Sequence, residues 1–188
     1  MEINADIHLT RDPDFVLDVN LTVQPHGITA LYGPSGSGKS TLLRLLAGLE
    51  RGTRSDRIEI TDGKNVWQNK HSFVRPEMRG VGFVFQQQQL FPHLSVQGNL
   101  NFALSRQHTE HNLDINQVYD WLNLQPLLDK EISQLSGGEA QRVAIAMVLL
   151  NGAKCIFMDE PLGSIDSPSR SRILPYLDRL HRNLQIPM

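Results

Sequence analysis

Cysteine occurs once in this chain, at Cys155, so no internal disulfide can close a loop, and burial and hydrogen bonding must hold the fold. Excess charge is missing too. The 18 Lys and Arg stand against 20 Asp and Glu, a formal net charge of −2 that gives no electrostatic case for a nucleic-acid partner. The longest apolar run, Val143 to Leu150, is far too short to cross a bilayer. The start Met1-Glu2-Ile3-Asn4-Ala5-Asp6 has neither the basic nor the apolar stretch of a secretory leader, so a cytoplasmic chain is the expectation. Internal repeats and low-complexity tracts are lacking, and no sustained heptads run between Thr41 and Leu135, which excludes a long coiled coil there. Aromatic residues are sparse at 6%, and Trp67 and Trp121 are expected in packing rather than against a cofactor. His108 and His111 have no Cys or carboxylate to complete a ligand set and read as solvated residues of a surface loop, 105–116. What remains is a 188-residue chain, 40% hydrophobic, able to bury the core of a single soluble domain.

What is present begins with Gly33-Pro34-Ser35-Gly36-Ser37-Gly38-Lys39-Ser40-Thr41, which fits the spacing G-x-x-x-x-G-K-[ST] of a phosphate-binding loop. The apolar run Ile28 to Tyr32 before it reads as a buried strand, and Leu42 to Ala47 continues at helical spacing. Strand, loop and helix is the context this chemistry needs. The glycines permit backbone conformations closed to other residues, so that amide N–H groups can close around phosphate oxygens at the positive end of a helix. Lys39 then supplies a point charge to the β- and γ-phosphates, Ser40 offers its hydroxyl to Mg²⁺, and Thr41 is placed to reach the α-phosphate.

A second element is Lys154 to Pro161, an apolar strand ending in the adjacent carboxylates Asp159 and Glu160. Side chains alternate along a strand, so the two cannot share one role. Asp159 is expected to anchor Mg²⁺, and Glu160 to orient and polarise an attacking water. Alone, such a pair ends a strand in a solvated turn as readily; the phosphate loop upstream decides for chemistry.

Between them lies Leu135-Ser136-Gly137-Gly138-Glu139-Ala140-Gln141-Arg142. Ser136 followed by Glu139 is a capping box, so a helix starts here and runs to Leu150. Gly137 and Gly138 each cost a helix about 1 kcal/mol relative to alanine. They make sense where something approaches the backbone closely, and a helix N-terminus favours an anion. The chain's own loop already serves one nucleotide, so the client here is the γ-phosphate of ATP on a second copy.

With these motifs in place the chain resembles the ATP-binding-cassette (ABC) ATPases over essentially its whole length. The resemblance implies an α/β fold with a P-loop NTPase core, an N-terminal antiparallel β region and an inserted helical subdomain. On this chain the core is 1–89 and 135–188, and the subdomain about 90–134. It implies that Gly33 to Thr41 bind ATP, that Glu160 is catalytic, and that Ser40, Gln86 and Asp159 hold Mg²⁺. Leu135, Ser136, Gly137, Gly138 and Glu139 become the signature acting on the partner's ATP, and Ser164 and Asp166 belong to the D-loop. The implied partners are a second copy and integral-membrane permease subunits, with the ATPase peripheral on the cytoplasmic face of the inner membrane. Two departures stand out. Gly163 and Ile165 vary the usual D-loop, and the aromatic that stacks on adenine, near positions 10 to 13, is missing. Phe15 alternates with Leu17, Val19, Leu21 and Val23 on one strand face, which assigns it to the core.

The stretch Gln86 to Leu104 holds an apolar elbow, Leu90-Phe91-Pro92, before a helix capped at Ser95. In transport ATPases of this family the elbow receives a short helix of the membrane subunit. Strings flanking the catalytic chemistry, among them Gly27 to Gly36 and Leu90 to Leu100, resemble the ATPase subunits of bacterial molybdate importers. Sulfate, iron and polyamine importers remain open, as does a non-transport ATPase acting on nucleic acid or ribosomes. A last helix is expected from about Pro168 to Asn183. The family's switch histidine and the strands after it have no counterpart, so an incomplete, poorly hydrolysing cassette is expected.

Overall fold

The computed structural model describes every residue except 13–14, 54, 108–112, 162–166 and 185, and leaves out the side chains of 12 and 167–173. The chain divides into two compact units, residues 1–81 with 186–188, and residues 82–185.

In the first unit, β1 (Ile3–Asp12), β2 (Phe15–Val23), β3 (Arg57–Thr61) and β4 (Val66–Gln68) form an antiparallel sheet in the order β2-β1-β3-β4. Register follows the apolar alternation: Ile7 lies opposite Val19 on one side and Ile58 on the other. A one-residue slip would turn that whole set outward. Ile3, Ile7, Leu9 and Ile60 are fully buried, while the intervening positions face out. Helix α1 (Lys39–Ala47) follows the phosphate loop and buries Leu42, Leu45 and Leu46, the i, i+3, i+4 stripe of an amphipathic helix. Gly48 ends it in the left-handed region at φ 76°, its N–H returning to the carbonyls of Arg44 and Leu45.

Arg79 is the unexpected member of this unit, being 2% exposed and forming no ion pair among the described residues. Its Nη1 donates to the carbonyl oxygens of Leu45 and Leu46 at 2.9 and 2.8 Å, and its Nε to that of Val74 at 3.0 Å. The guanidinium also lies over the rings of Trp67 and Phe73. A positive charge is thus spread over helix-end carbonyls and aromatic faces, which a helix C-terminus favours. A Cβ on Gly48 would come within 2.7 Å of the Arg79 guanidinium carbon, so glycine serves there twice. Trp67, 2% exposed, is a packing residue as its sequence context implies.

The expected strand over Ile28–Tyr32 does not form. Ile28 is 57% exposed and Tyr32 fully so, and the segment carries no strand assignment. An extended segment becomes a strand only when a neighbouring backbone supplies a ladder. Here the tie is to Met188, through Thr29 N–H to its carbonyl at 2.8 Å and its N–H to the Gly27 carbonyl at 2.9 Å.

The second unit carries α2 (Val96–Ser105), α3 (Ile115–Leu122), α4 (Gly137–Leu150) and α5 (Ser167–Asn183), with α4 packed against the other three. Strand β6 (Cys155–Met158) pairs with β5 (Val81–Val84). Cys155, Ile156 and Phe157 are all buried, so β6 is covered on both faces and reads as a continuous apolar run. Burial pushes the Cys155 thiol up to about 12, and it behaves as a small hydrophobe. A Cβ on Gly82 would collide with Val148 of α4 and come within 2.8 Å of Ala153 Cβ, so the helix rests on bare backbone of β5. Arg142 on α4 donates to the carbonyls of Leu122 and Asn123 at the end of α3, and stacks on Tyr176 of α5.

Candidate functional site

The phosphate loop of the first unit has the backbone its sequence calls for. Gly36 and Gly38 lie at φ 80° and 89°, a region that L side chains enter only with strain. At Gly38 an added Cβ would also come within 3.0 Å of Leu17 and 3.1 Å of Phe15. At Gly33 it would meet the Ser37 hydroxyl at 3.0 Å. Phe15 is half-buried and lies against Gly38, so its ring supports the loop while the alternation of β2 holds as expected. Lys39 Nζ donates to the carbonyls of Gly33 and Pro34 at 3.0 and 2.7 Å and reaches the Ser37 hydroxyl at 3.4 Å. The ammonium is therefore aimed into the concavity of its own loop. The first-turn N–H groups of a helix have no intrahelical acceptor, and α1 starts at Lys39. Open glycine backbone, a fixed ammonium and the Ser40 and Thr41 hydroxyls fit a polyphosphate and a hard, oxygen-seeking cation.

The second unit holds the carboxylates. Asp159 is 4% exposed and its N–H donates to the Val84 carbonyl at 2.9 Å, which fixes the end of β6 against the end of β5. Glu160 is exposed and stands at φ 46°, one of two non-glycine residues with positive φ among those described. That turn separates the two acids, one sunk into the unit and one presented. Gln86, just beyond β5, donates its Nε2 to Glu160 Oε2 at 2.9 Å, so two residues singled out separately in the sequence meet here.

The segment after Gln86 is tied down as well. Gln88 Nε2 donates to Gln141 Oε1 at 2.7 Å, and Gln141 is 1% exposed with its own Nε2 unpartnered among the described residues. Asn99, fully buried on α2, accepts the Phe91 N–H at 2.8 Å and donates to the carbonyls of Phe91 and Ser95 at 3.1 and 2.9 Å. The elbow Leu90-Phe91-Pro92 is thereby locked to α2, whose Ser95 cap forms as expected.

The capping box at the start of α4 is complete. The Ser136 hydroxyl accepts the Glu139 N–H at 3.3 Å, and Glu139 Oε2 accepts the Ser136 N–H at 2.8 Å. Lys130 Nζ reaches Glu139 Oε1 at 3.0 Å. The Ser136 amide, with Lys130 behind it, holds the Glu139 carboxyl down at about 2 against the opposing pull of burial. A Cβ on Gly137 would meet nothing within 4 Å, so the helix start is an open face. Ser164 and Asp166, and likewise His108 and His111, lie outside the described residues. Arg79, Gln88, Asn99 and Lys130 carry no motif signal; each acts on groups that only folding brings near.

Residues 16–163 match the family model described as ABC transporter. The chain is 46% identical, over 99% of its length, to the Molybdenum import ATP-binding protein ModC of Pseudomonas savastanoi pv. phaseolicola, and covers 51% of that protein. Its identity to the protein of the same name from Methylococcus capsulatus is 44% over 100% of this chain and 51% of the relative. The chain thus spans about half the length of the curated relatives it matches. A solved dimeric structure of the ATP-binding cassette MJ0796, in a post-hydrolysis state bound to ADP and Pi, superposes with a TM-score of 0.75 and 25% identity, covering 100% of this chain and 85% of that one.

Proposed function

We propose, from the premise that this chain belongs to the ABC transporter family, that it binds and hydrolyses ATP to power uptake of molybdate or a similar oxyanion through a separate integral-membrane permease. The observation that carries the reading is the hydrogen bond from Gln86 to Glu160 at 2.9 Å. An amide and an exposed carboxylate side by side, next to the buried Asp159, suit the positioning of a water for in-line attack.

Each group then has one task. The amides from Gly33 to Thr41 grip the phosphates, and Lys39 exchanges its loop carbonyls for phosphate oxygens. Mg²⁺, for which Ser40, Gln86 and Asp159 are the candidate ligands, would offset the negative charge of the bound phosphates. Glu160 accepts a proton from water as the water oxygen bonds to the γ-phosphorus and the bond to the β–γ bridging oxygen breaks, leaving ADP and phosphate. A general base of this kind is worth about 10² to 10⁴ in rate.

A homodimer is part of the proposal. The open helix start at Leu135 to Glu139 would face the ATP of the second copy, and Ser164 and Asp166 belong to the D-loop of the family pattern. The dimeric state named for the solved relative supports this. Residues 90–134 form the helical subdomain, and the elbow locked by Asn99 is where a permease helix docks. Among the described residues no helix is long and apolar enough to cross a membrane; a peripheral place on the cytoplasmic face of the inner membrane is part of the proposal. A net charge of −2 offers nothing toward nucleic acid.

Molybdate rests on the names of the curated relatives, since no residue of a cytoplasmic ATPase needs to touch the transported ion. The test is reconstitution of the full-length protein with its permease in vesicles loaded with ATP, offered molybdate, sulfate, iron or polyamine. ATP-dependent molybdate uptake, abolished by Glu160→Gln, is expected. Uptake of one of the other solutes, with molybdate excluded, would replace the substrate; ATP turnover without uptake of any would remove the transport reading.

A further inference from the structure

Gln86 reaches Glu160 from a stretch of chain that has little else to hold it. Its two ends are fixed: the Asp159 N–H donates to the carbonyl of Val84 at 2.9 Å, and Asn99 holds Phe91 through bonds of 2.8 and 3.1 Å. Between them, residues 86–89 belong to no helix or strand, and among the described residues they make no backbone-to-backbone hydrogen bond. Gln89 Nε2 donates to the Gln87 carbonyl at 3.2 Å, which ties the stretch to nothing outside itself. Two side-chain bonds remain, Gln86 to Glu160 and Gln88 to Gln141.

The two are unequal as anchors. Gln86 and Glu160 are both exposed, so water competes for each, and a glutamine side chain loses much rotamer freedom when it is held. Gln88 is half-buried, and its 2.7 Å bond runs to an amide that is 1% exposed on α4, a helix packed against α2, α3 and α5. In such a shielded place a hydrogen bond is stronger, and leaving it unmade costs more. Glu160 follows directly on Asp159, whose own N–H is bonded to Val84, so the carboxylate is carried by a fixed backbone. The freedom lies with Gln86. Gln88 stands two residues beyond it, so the shielded bond fixes the backbone from which the exposed one is made.

Building on the hydrolytic roles given to Gln86 and Glu160, we propose that Gln88 is a positioning residue for ATP hydrolysis: its bond to Gln141 holds residues 86–89 so that the Gln86 amide stays on Glu160 and the water that Glu160 polarises keeps one orientation. In this role Gln88 touches neither nucleotide nor water, so it acts on the chemical step and leaves ATP affinity alone.

Single-turnover hydrolysis of MgATP by the full-length protein, at saturating nucleotide and beside a nucleotide-binding titration, tests this. Gln88→Met should slow hydrolysis about tenfold or more with ATP affinity unchanged. In a Gln86→Ala background the same substitution should change the rate less than about twofold, because a residue that acts through Gln86 then has nothing to position. Gln88→Met combined with Gln141→Met removes both polar groups at similar volume, so stability in urea should return toward wild type while hydrolysis stays slow. That pair also serves if the single variant is too unstable to assay. Slowing of equal size with and without Gln86 overturns the proposal, as does hydrolysis that recovers along with stability in the double variant, which would make the bond structural alone. Glu160→Gln is assayed beside them. If it slows hydrolysis while Gln88→Met does not, the proposal falls and the hydrolytic reading stands; if Glu160→Gln hydrolyses at the wild-type rate, that reading falls and the proposal with it.

Discussion

Gln88 and Gln141 share a hydrogen bond of 2.7 Å that ties the segment following Gln86 to the helix bearing the capping box. Gln141 is 1% exposed and, among the described residues, its Nε2 has no partner, so its side chain is served there by Gln88 alone. Gln88→Ala should therefore leave a buried amide wholly unpaired and cost about 1–3 kcal/mol, read by urea unfolding. Gln88→Ala combined with Gln141→Leu should recover part of that loss, because no unpaired group remains.

Lys39 and Glu160 should separate binding from chemistry. Lys39→Ala is expected to weaken ATP binding itself, whereas Glu160→Gln should leave binding intact and slow single-turnover hydrolysis by about a hundredfold or more. Fluorescent-nucleotide titration beside the hydrolysis assay checks both, and equal loss of affinity in the two variants would undo the assignment of roles.

The Glu139 carboxyl carries a sign that can be worked out. Its value falls from about 4.5 to about 2 in the folded chain, so the folded state binds its proton more weakly. The stabilisation is complete above about 4.5 and is lost as pH falls toward about 2. Glu139→Gln keeps the capping geometry but loses the charge facing Lys130. The stability gap between wild type and Glu139→Gln should be constant above about pH 5 and close below it, measured by denaturant melts across that range.

Arg79 should prove a stability residue with a local signature. Burial lowers it to about 10, so it stays charged at neutral pH. Arg79→Met removes the donors for Leu45, Leu46 and Val74 and should cost about 3 kcal/mol or more. Hydrogen exchange should quicken first at the C-terminal end of α1, before the antiparallel sheet loosens.

The capping box and the phosphate loop were legible in the sequence because their signals are local: Ser136 needs only Glu139 three residues on, and Lys39 needs only the glycines before it. The strand end at Asp159 and Glu160 was legible for the same reason. Arg79 was not, since the carbonyls it serves on α1 lie 34 and 33 positions away and no residue type announces that service. Gln88 and Asn99 were hidden likewise inside ordinary polar stretches. The strand expected at Ile28–Tyr32 failed from the opposite cause: apolar character there is strong, but a strand is a property of two backbones, and composition describes only one.

Glu160 sits at φ 46°, in the region an L residue occupies at a cost of about 1–2 kcal/mol. The same turn would be relaxed by glycine, which removes the carboxylate. If Glu160 has the role proposed for it, a change toward a steadier turn at this position is also a change toward lost turnover. Glu160→Gly should on this ground fold better than its parent. In the proposed role, the chemistry asks for a carboxylate at a place where the backbone asks for glycine.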